Sequence, residues 1–413
     1  MKLNFLNYIK SRGFFNQCTN EKGLEKTLSK KIIAYTGFDC TSDSLHVGSL
    51  LQIMMLRTLQ KFGFKPIVLM GGGTTLIGDP SGKDKTREIL NKEKIQFNKK
   101  KISVIFKRFL RFDDSQTSAV ILDNFDWLSK LNFIQFAREI GSQFSVNRML
   151  SFESIKQRLD REQNLSFLEF NYVLLQSYDF LELYQKHGCN LQFGGSDQWA
   201  NIVSGIDLIK RNCKTEEIFG LTSPLITTAN GEKMGKTVKG AVWLNKEKIS
   251  PYEYWQFWRN TADDDVEKFL NLFTEISSEE IKKISSFKGS KLNEAKILLA
   301  NEATKICHGE NESKKAEINS LKIFSNITTD TELPDKNNFF LEENESIKLR
   351  DLLVKIHLCN STSESKKMIS GGAVRIDGKK VEDKNLDIKK DVFKKQTLKI
   401  SVGKKKYGIV NFS

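Results

Sequence analysis

Two apolar runs, KKIIAYTGF and KPIVLM, flank the helical stretch LLQIMMLRTLQKFG, and each ends in a turn of small or polar residues. A parallel strand pair needs a crossover of a dozen or more residues, usually a helix, whereas an antiparallel pair needs only a tight turn. The first half of the chain therefore reads as strand, helix, strand, the pattern of a doubly wound parallel sheet. The second run leads straight into GGGTTLIGDPSG; further on, NLQFGGSDQW is another strand with a polar, glycine-rich end, and LTSPLITT a later one. Ligands of such sheets lie beyond the carboxyl ends of the strands. The expected fold class is α/β, a doubly wound (Rossmann-like) parallel sheet, followed by an α-helical domain and a small basic α+β module.

The helical part starts near Ser250. Ser250-Pro251 is a helix start with proline in the first turn, Ser277 and Glu280 fit a capping box, and KLNEAKILLANEATKICHG is a long amphipathic stretch. A polar segment from Asp330 to Glu345 reads as a linker. Beyond it, IKLRDLLVKIH places Leu349, Leu352, Leu353 and Ile356 on one helical face. ESKKMIS is a second short helix between the cap candidates Ser361, Thr362 and Ser363 and the closing Gly371 and Gly372. AVRIDGKKV is a hairpin around Asp377-Gly378, a type I′ turn signal. Of the net charge of +14 on 413 residues, most sits here: Ser346–Ser413 holds 17 Lys plus Arg against 7 Asp plus Glu, a balance of +10. A folded basic unit of this kind is an RNA-binding candidate.

No apolar run approaches the ~20 residues of a membrane span. MKLNFLNYIKSRGFF alternates polar and apolar residues too quickly for a signal-peptide core, with a basic amphipathic transit peptide as the alternative. The six cysteines (Cys18, Cys40, Cys189, Cys213, Cys307, Cys359) include no C-x-x-C pair. That argues against a zinc knuckle or disulfide framework and for a reducing compartment. The expectation is a cytoplasmic protein with no membrane partner.

Ala229–Thr237, ANGEKMGKT, nearly spells the phosphate-binding loop G-x-x-x-x-G-K-[ST]. Gly231 and Gly235 have only three residues between them, however, and Asn230 stands where the first glycine belongs. Among the four histidines, His187 and His308 each precede a glycine at a helix end and read as favourable charges there; His357 ends a short helix in the basic segment. His46, in TSDSLHVGS, stands where the first strand's turn meets the next helix. Backbone N–H groups at such a start collect phosphate, and Gly48 would let a nucleotide lie close; a capping or packing histidine is an equal alternative.

SFLEFNYVLLQSYDFLELYQKHG opens with Ser166 and Glu169 as a capping box and closes at Gly188. Apolar residues lie all round it, which describes a buried helix. Yet Tyr172, Gln176 and Asp179 fall on one stripe, at i, i+4 and i+7. A buried polar group without a partner costs roughly 1–3 kcal/mol. The stripe therefore faces either a polar ligand or an internal hydrogen-bond network.

YTGFDCTSDSLHVGS, LIGDPSGKDKTRE, SFLEFNYVLLQSYDF, LQFGGSDQW and GEKMGKT occur in the order and spacing of a bacterial-type tyrosyl-tRNA synthetase. The chain resembles that class I family along nearly its whole length, and its basic end is similar to a small RNA-binding fold shared with a ribosomal protein. The resemblance implies a homodimeric enzyme that activates L-tyrosine with ATP and passes it to the 3′-terminal ribose of tRNA(Tyr). Magnesium would travel with the ATP, with no dedicated metal site. The implied domains are a catalytic domain at 1–225, the mobile loop and anticodon-side helical domain at 226–330, a linker at 331–345 and the RNA-binding domain at 346–413.

KMGKT resembles the KMSKS loop of that family, and HVGS its HIGH signature. By resemblance, His46, Thr41, Lys83, Arg87, Lys233 and Lys236 meet the charge of the triphosphate. Tyr35 and Asp179 would bond the substrate phenol, Tyr172, Gln176 and Asp79 its amino group, and Gln198 would lie near its carboxylate. Asp197 would bond the ATP ribose, with Asp39, Gly48, Ser49 and Gly195 also at the nucleotide. The segment DWLSKLNFIQFAREIGSQFSV would form the dimer interface. Ser49 departs from the second signature histidine, Thr36 from a common cysteine and Gln52 from a common threonine, while Thr237 keeps the hydroxyl of the last loop serine. A tryptophanyl-tRNA synthetase would share the fold and both signatures but lack the Tyr35–Asp179 pair. A small-molecule nucleotidylyltransferase would have no use for the basic module. A non-catalytic RNA-binding relative would have lost the loop lysines.

Overall fold

The computed structural model describes residues 4–79, 90–229, 231, 234, 236–237, 240–285, 287, 289–324, 338–342, 345–393, 396–403 and 406–412. They divide into two compact units, 1–317 and 318–413.

In the first unit, strands β1 (Gln17–Cys18), β2 (Ile33–Asp39), β3 (Lys65–Gly71), β4 (Val120–Asp123), β5 (Leu191–Gly195) and β6 (Phe219–Ser223) form one sheet in the order β1-β6-β5-β2-β3-β4. Neighbours run parallel, except that β1 is antiparallel to β6. The doubly wound parallel sheet read from the sequence is present. The chain leaves β2 toward β3 on one side and returns to β5 on the other. The carboxyl ends of β2 and β5 thus border the topological switch point, where such sheets bind ligands. β6 stops one residue before Pro224, which has no N–H to continue a ladder, so the strand is shorter than LTSPLITT suggested.

Both faces of the sheet are covered, as parallel strands require. Along β2, Ile33 and Tyr35 enter one core and Ala34 and Phe38 the other; β3 splits the same way, with Ile67 and Leu69 opposite Val68 and Met70. The helices Val47–Lys61 and Lys92–Phe109 contribute to the second core. The helices Phe167–His187 and Trp199–Cys213 contribute to the first. Phe167–His187 has the two-way Ser166–Glu169 capping bonds and ends at Gly188 in the left-handed region (φ 65°). Its first turn corrects the all-round buried reading: Phe167 is 69% exposed, and Leu168 is exposed too.

After β6 come a small hairpin of β7 (Lys236–Thr237) and β8 (Gly240–Ala241) and then the helices Pro251–Arg259, Val266–Phe273, Ser278–Ser285 and Ser290–His308. Tyr254, Trp255, Trp258, Phe269 and Phe273 are buried among them. His308 corrects a second expectation. Its ring stands edge-on to Tyr254, 4.9 Å between centroids, and both ring nitrogens are buried without a hydrogen-bond partner among the described residues. Burial, with Arg108 and Lys246 nearby, pushes its pKa down to about 3. It packs as a neutral ring instead of a charge at a helix end.

The second unit holds β9 (Asn338–Leu341), β10 (Ile347–Lys348), β11 (Val374–Ile376), β12 (Lys379–Lys380), β13 (Asp387–Ile388), β14 (Thr397–Val402) and β15 (Lys406–Phe412). Five of these make a sheet in the order β12-β11-β14-β15-β9, and β10 pairs with β13. Leu349, Leu352, Leu353 and Ile356 are buried as the helical spacing predicts. Asp377 (φ 47°) and Gly378 (φ 81°) both take positive φ at the β11–β12 turn, the requirement of type I′. Part of the 331–345 stretch read as linker is sheet: β9 runs parallel to β15, and Leu341 is buried in this unit's core.

Candidate active site

His46 precedes the helix Val47–Lys61 in an extended conformation, and its Nδ1 accepts the Gly48 N–H at 2.9 Å. A Cβ at Gly48 would stand 2.6 Å from His46 Cε1 and 3.2 Å from the Met234 carbonyl oxygen. The glycine thus makes room for the histidine's own ring and for the methionine of KMGKT. The capping alternative for His46 is realised by Nδ1. The same turn is tied to the chain after the lysine loop. Val47 N–H donates to Val242 O (2.9 Å) and Leu244 N–H to Leu45 O (2.8 Å), with His46 bridged to Trp243 between them. Met234 is buried, with its N–H bonded to Ile226 O at 2.9 Å. HVGS and KMGKT, far apart in sequence, therefore share one corner. Thr41 and Gly48 are exposed there and Ser49 half-buried. Lys83, Arg87 and Lys233 lie outside the described residues, and only the backbone of Lys236 is described, as the first residue of β7.

The second cluster lies under the helix Phe167–His187. Tyr35, fully buried in β2, packs its ring 5.2 Å from Phe180, and its hydroxyl has no hydrogen-bond partner among the described residues. Burial, with the charge of Asp179 nearby, raises the Tyr35 pKa well above the ordinary value, so the hydroxyl keeps its proton. The Asp179 carboxylate accepts Asn124 Nδ2–H at 2.9 Å and Trp127 Nε1–H at 2.7 Å. Burial pushes its pKa up to about 7; those two donors oppose the rise, and Asp39 and Asp123 add to it.

Tyr172 donates to the Asp39 carboxylate, 3.3 Å from each oxygen. Gln176 Oε1 accepts from Asn201 Nδ2 at 2.9 Å, which also lies 3.2 Å from Gln198 Oε1, and Gln198 Nε2 donates to Asp79 Oδ2 at 3.1 Å. The structure thus brings Tyr35, Asp39, Asp79, Tyr172, Gln176, Asp179 and Gln198 into linked clusters. Gly195 ends β5, and Asp197 follows, exposed, in the single turn Ser196–Gln198. All three residues of the helix stripe already have protein partners, Tyr172 in Asp39, Gln176 in Asn201 and Asp179 in Asn124 and Trp127, so the stripe forms an internal network. The unpaired Tyr35 hydroxyl is the part that network leaves unsatisfied.

The run GGGTT begins at the end of β3, at the edge of this cluster. A Cβ at Gly71 would come within 2.3 Å of Asp39 Oδ1, and one at Gly72 within 2.3 Å of Asp123 Oδ1. These glycines accommodate the protein's own carboxylates. Thr36 is buried, and Gln52 donates to Ser223 Oγ at 2.6 Å. Asn124, Trp127 and Asn201 were not picked out from sequence. The available signal was position alone, polar residues at or just past the carboxyl ends of β4 and β5.

Residues 26–325 match the family described as tRNA synthetases class I (W and Y), and residues 332–410 match the tyrosine–tRNA ligase SYY-like C-terminal domain. A tyrosine–tRNA ligase of Pelagibacter ubique is 52% identical over 406 residues, covering 98% of either chain. The chain belongs to the tyrosyl-tRNA synthetases. A tyrosine–tRNA ligase of Zymomonas mobilis is likewise 52% identical over 407 residues and 98% of both chains. Among solved structures, a C-terminally truncated mitochondrial tyrosyl-tRNA synthetase of Aspergillus nidulans is 28% identical with a TM-score of 0.69, covering 78% of this chain and 94% of that one. Membership of the tyrosyl-tRNA synthetases sets aside the tryptophan-specific alternative that the shared signatures left open.

Proposed function

We propose that the phenol pocket of Tyr35 and Asp179 and the corner of His46 and the lysine loop carry out the tyrosine–tRNA ligase reaction of this family. Tyrosine and ATP give tyrosyl-adenylate and pyrophosphate, and the tyrosyl group then passes to the 3′-terminal ribose of tRNA(Tyr). The observation that carries this reading is the buried Tyr35 hydroxyl beside Asp179, without a partner among the described residues. A substrate phenol would accept from Tyr35 and donate to Asp179, and phenylalanine would leave both unpaired, at roughly 1–3 kcal/mol per group.

Tyr172, Gln176 and Asp79 would hold the substrate ammonium, with Gln198 at its carboxylate. Asp39, Gly48, Ser49, Gly195 and Asp197 would line the nucleotide. The substrate carboxylate attacks the α-phosphate as the bond to pyrophosphate breaks. This chemistry is mostly positioning and charge stabilisation. His46, Thr41, Lys83, Arg87, Lys233 and Lys236 would meet the charge on the departing pyrophosphate, and magnesium would enter with ATP. The lysines of the 346–413 module would contact the tRNA backbone.

Amino-acid-dependent exchange of labelled pyrophosphate into ATP tests the pocket, with tyrosine, phenylalanine and tryptophan in parallel. Exchange with tyrosine alone is expected. Exchange with tryptophan would overturn the pocket assignment, and no exchange would overturn the catalytic roles.

A homodimer fits the same reading. Phe133, Ile134 (76% exposed), Val146, Leu150, Phe167 and Leu168 are exposed apolar side chains between 133 and 168, and such exposure marks interfaces. Ile134→Glu should turn a dimer into a monomer by sedimentation; a monomeric wild type would refute the assignment. Six free cysteines and the absence, among the described residues, of a helix long and apolar enough to cross a membrane fit a cytoplasmic enzyme.

A further inference from the structure

We infer that Lys99 is a positioning residue for tyrosine recognition, acting through Asp123 and Asn124 on the Asp179 carboxylate. The inference rests on the phenol pocket proposed above. Lys99 comes from the helix Lys92–Phe109, whose buried residues share the sheet face opposite to that of Tyr35. Its ammonium pairs with Asp123 Oδ2 at the end of β4. Asp123 Oδ1 in turn accepts the N–H groups of Gly72 (3.1 Å) and Phe125 (3.0 Å), which binds the tip of β3 to the turn after β4. Asn124, held in that turn, accepts the Gly73 N–H at 2.7 Å. Its Nδ2 donates to Thr74 Oγ1 (3.0 Å) and to Asp179 Oδ2 (2.9 Å). Thr74 closes the circuit with a 2.9 Å bond to Asp39.

The charge balance points the same way. Among the described residues, Asp39 of β2 and Asp123 of β4 raise the Asp179 pKa, and the tyrosines Tyr35 of β2 and Tyr172 and Tyr178 of its own helix feel its charge. Asp79 adds a further carboxylate beside Tyr172. Asp123 is largely buried, and Lys99 is its paired cation. Without that cation an uncompensated carboxylate would stand close to the one that must be ionised to accept the substrate phenol proton. A like charge nearby raises a carboxylate's pKa.

The experiment compares Lys99→Met and Lys99→Arg with the wild-type enzyme, reading kcat/KM for tyrosine in pyrophosphate exchange against pH. Lys99→Met should move the acid limb upward by roughly half to one pH unit and lower kcat/KM near pH 7 by about two- to fivefold. KM for ATP should be unchanged, and Lys99→Arg should restore both readings. Asp123→Asn, should Lys99→Met not fold, is expected to move the limb downward. An unmoved limb in the variants, or equal losses for tyrosine and ATP, would mean that the pair only supports the fold. If Asp179→Asn itself left tyrosine activation intact, the pocket reading would fail; an inert Lys99 beside a defective Asp179→Asn would sink this inference alone.

Discussion

Asp179→Asn should lower kcat/KM for tyrosine in pyrophosphate exchange by roughly 10–10²-fold, the loss of one charge-assisted bond worth about 1.5–3 kcal/mol. That bond is the one to the substrate phenol. A separate cost falls on the fold, with or without substrate: Asn124 Nδ2 and Trp127 Nε1 both donate to this carboxylate, and an amide offers one acceptor oxygen and brings two donors of its own. One buried donor would be left facing another. Phenylalanine, which makes no phenol bond, should lose much less, so the discrimination between the two amino acids narrows. Equal losses for both amino acids would show that Asp179 holds the fold and not the phenol.

The wild-type pH profile follows from the same group. Its pKa in the folded protein is raised to about 7, so the ionised fraction falls tenfold per unit below that value. kcat/KM for tyrosine, which reports the free enzyme, should show an acid limb near pH 7 that is absent from Asp179→Asn. The sign for stability is opposite. A folded pKa above the unfolded value means that this group's contribution is fully present below about pH 4 and lost as pH rises through about 7. The pocket carries its recognition charge at some cost to the empty fold.

Lys236→Ala should slow tyrosyl-adenylate formation by roughly 10²–10³-fold, the usual loss when one donor to developing charge is removed. The tyrosine dissociation constant should stay within about threefold, because uniform binding and transition-state binding separate when a group acts only on the leaving pyrophosphate. The placement supports that division. Lys236 opens β7, whose partner β8 leads into the segment hydrogen-bonded to the His46 turn, while the phenol pocket lies under a different helix. Single-turnover adenylate formation with equilibrium tyrosine binding is the measurement. A parallel loss of tyrosine binding would place the lysine elsewhere.

The legible features were those written locally. Ser166 and Glu169 cap a helix through bonds three residues apart, Asp377-Gly378 needs only its own two positive φ angles, and a strand-helix-strand rhythm forces a parallel sheet. What stayed hidden depends on neighbours from distant segments. Asn124 and Trp127 matter because a carboxylate from another element falls between them. His308 is neutral because the first unit closes over it, which a glycine after it does not reveal. Gly71 and Gly72 stand at the end of β3, and the room beside them is filled by Asp39 and Asp123. β9 escaped notice in a polar stretch because its partner, β15, lies at the other end of the module.

The sheet order has a consequence for the nascent chain. β2 needs β5 at its flank, yet β5 begins only at Leu191, after β3, β4 and the long helix have been made. At 5–20 residues per second, a ribosome keeps that edge of β2 open for roughly 10–30 s. During that time a hydrophobic strand carrying Tyr35 presents unpaired backbone to anything nearby. Substitutions that weaken the half-built β2–β3–β4 unit should therefore lower the yield of soluble protein more than the stability of the finished enzyme.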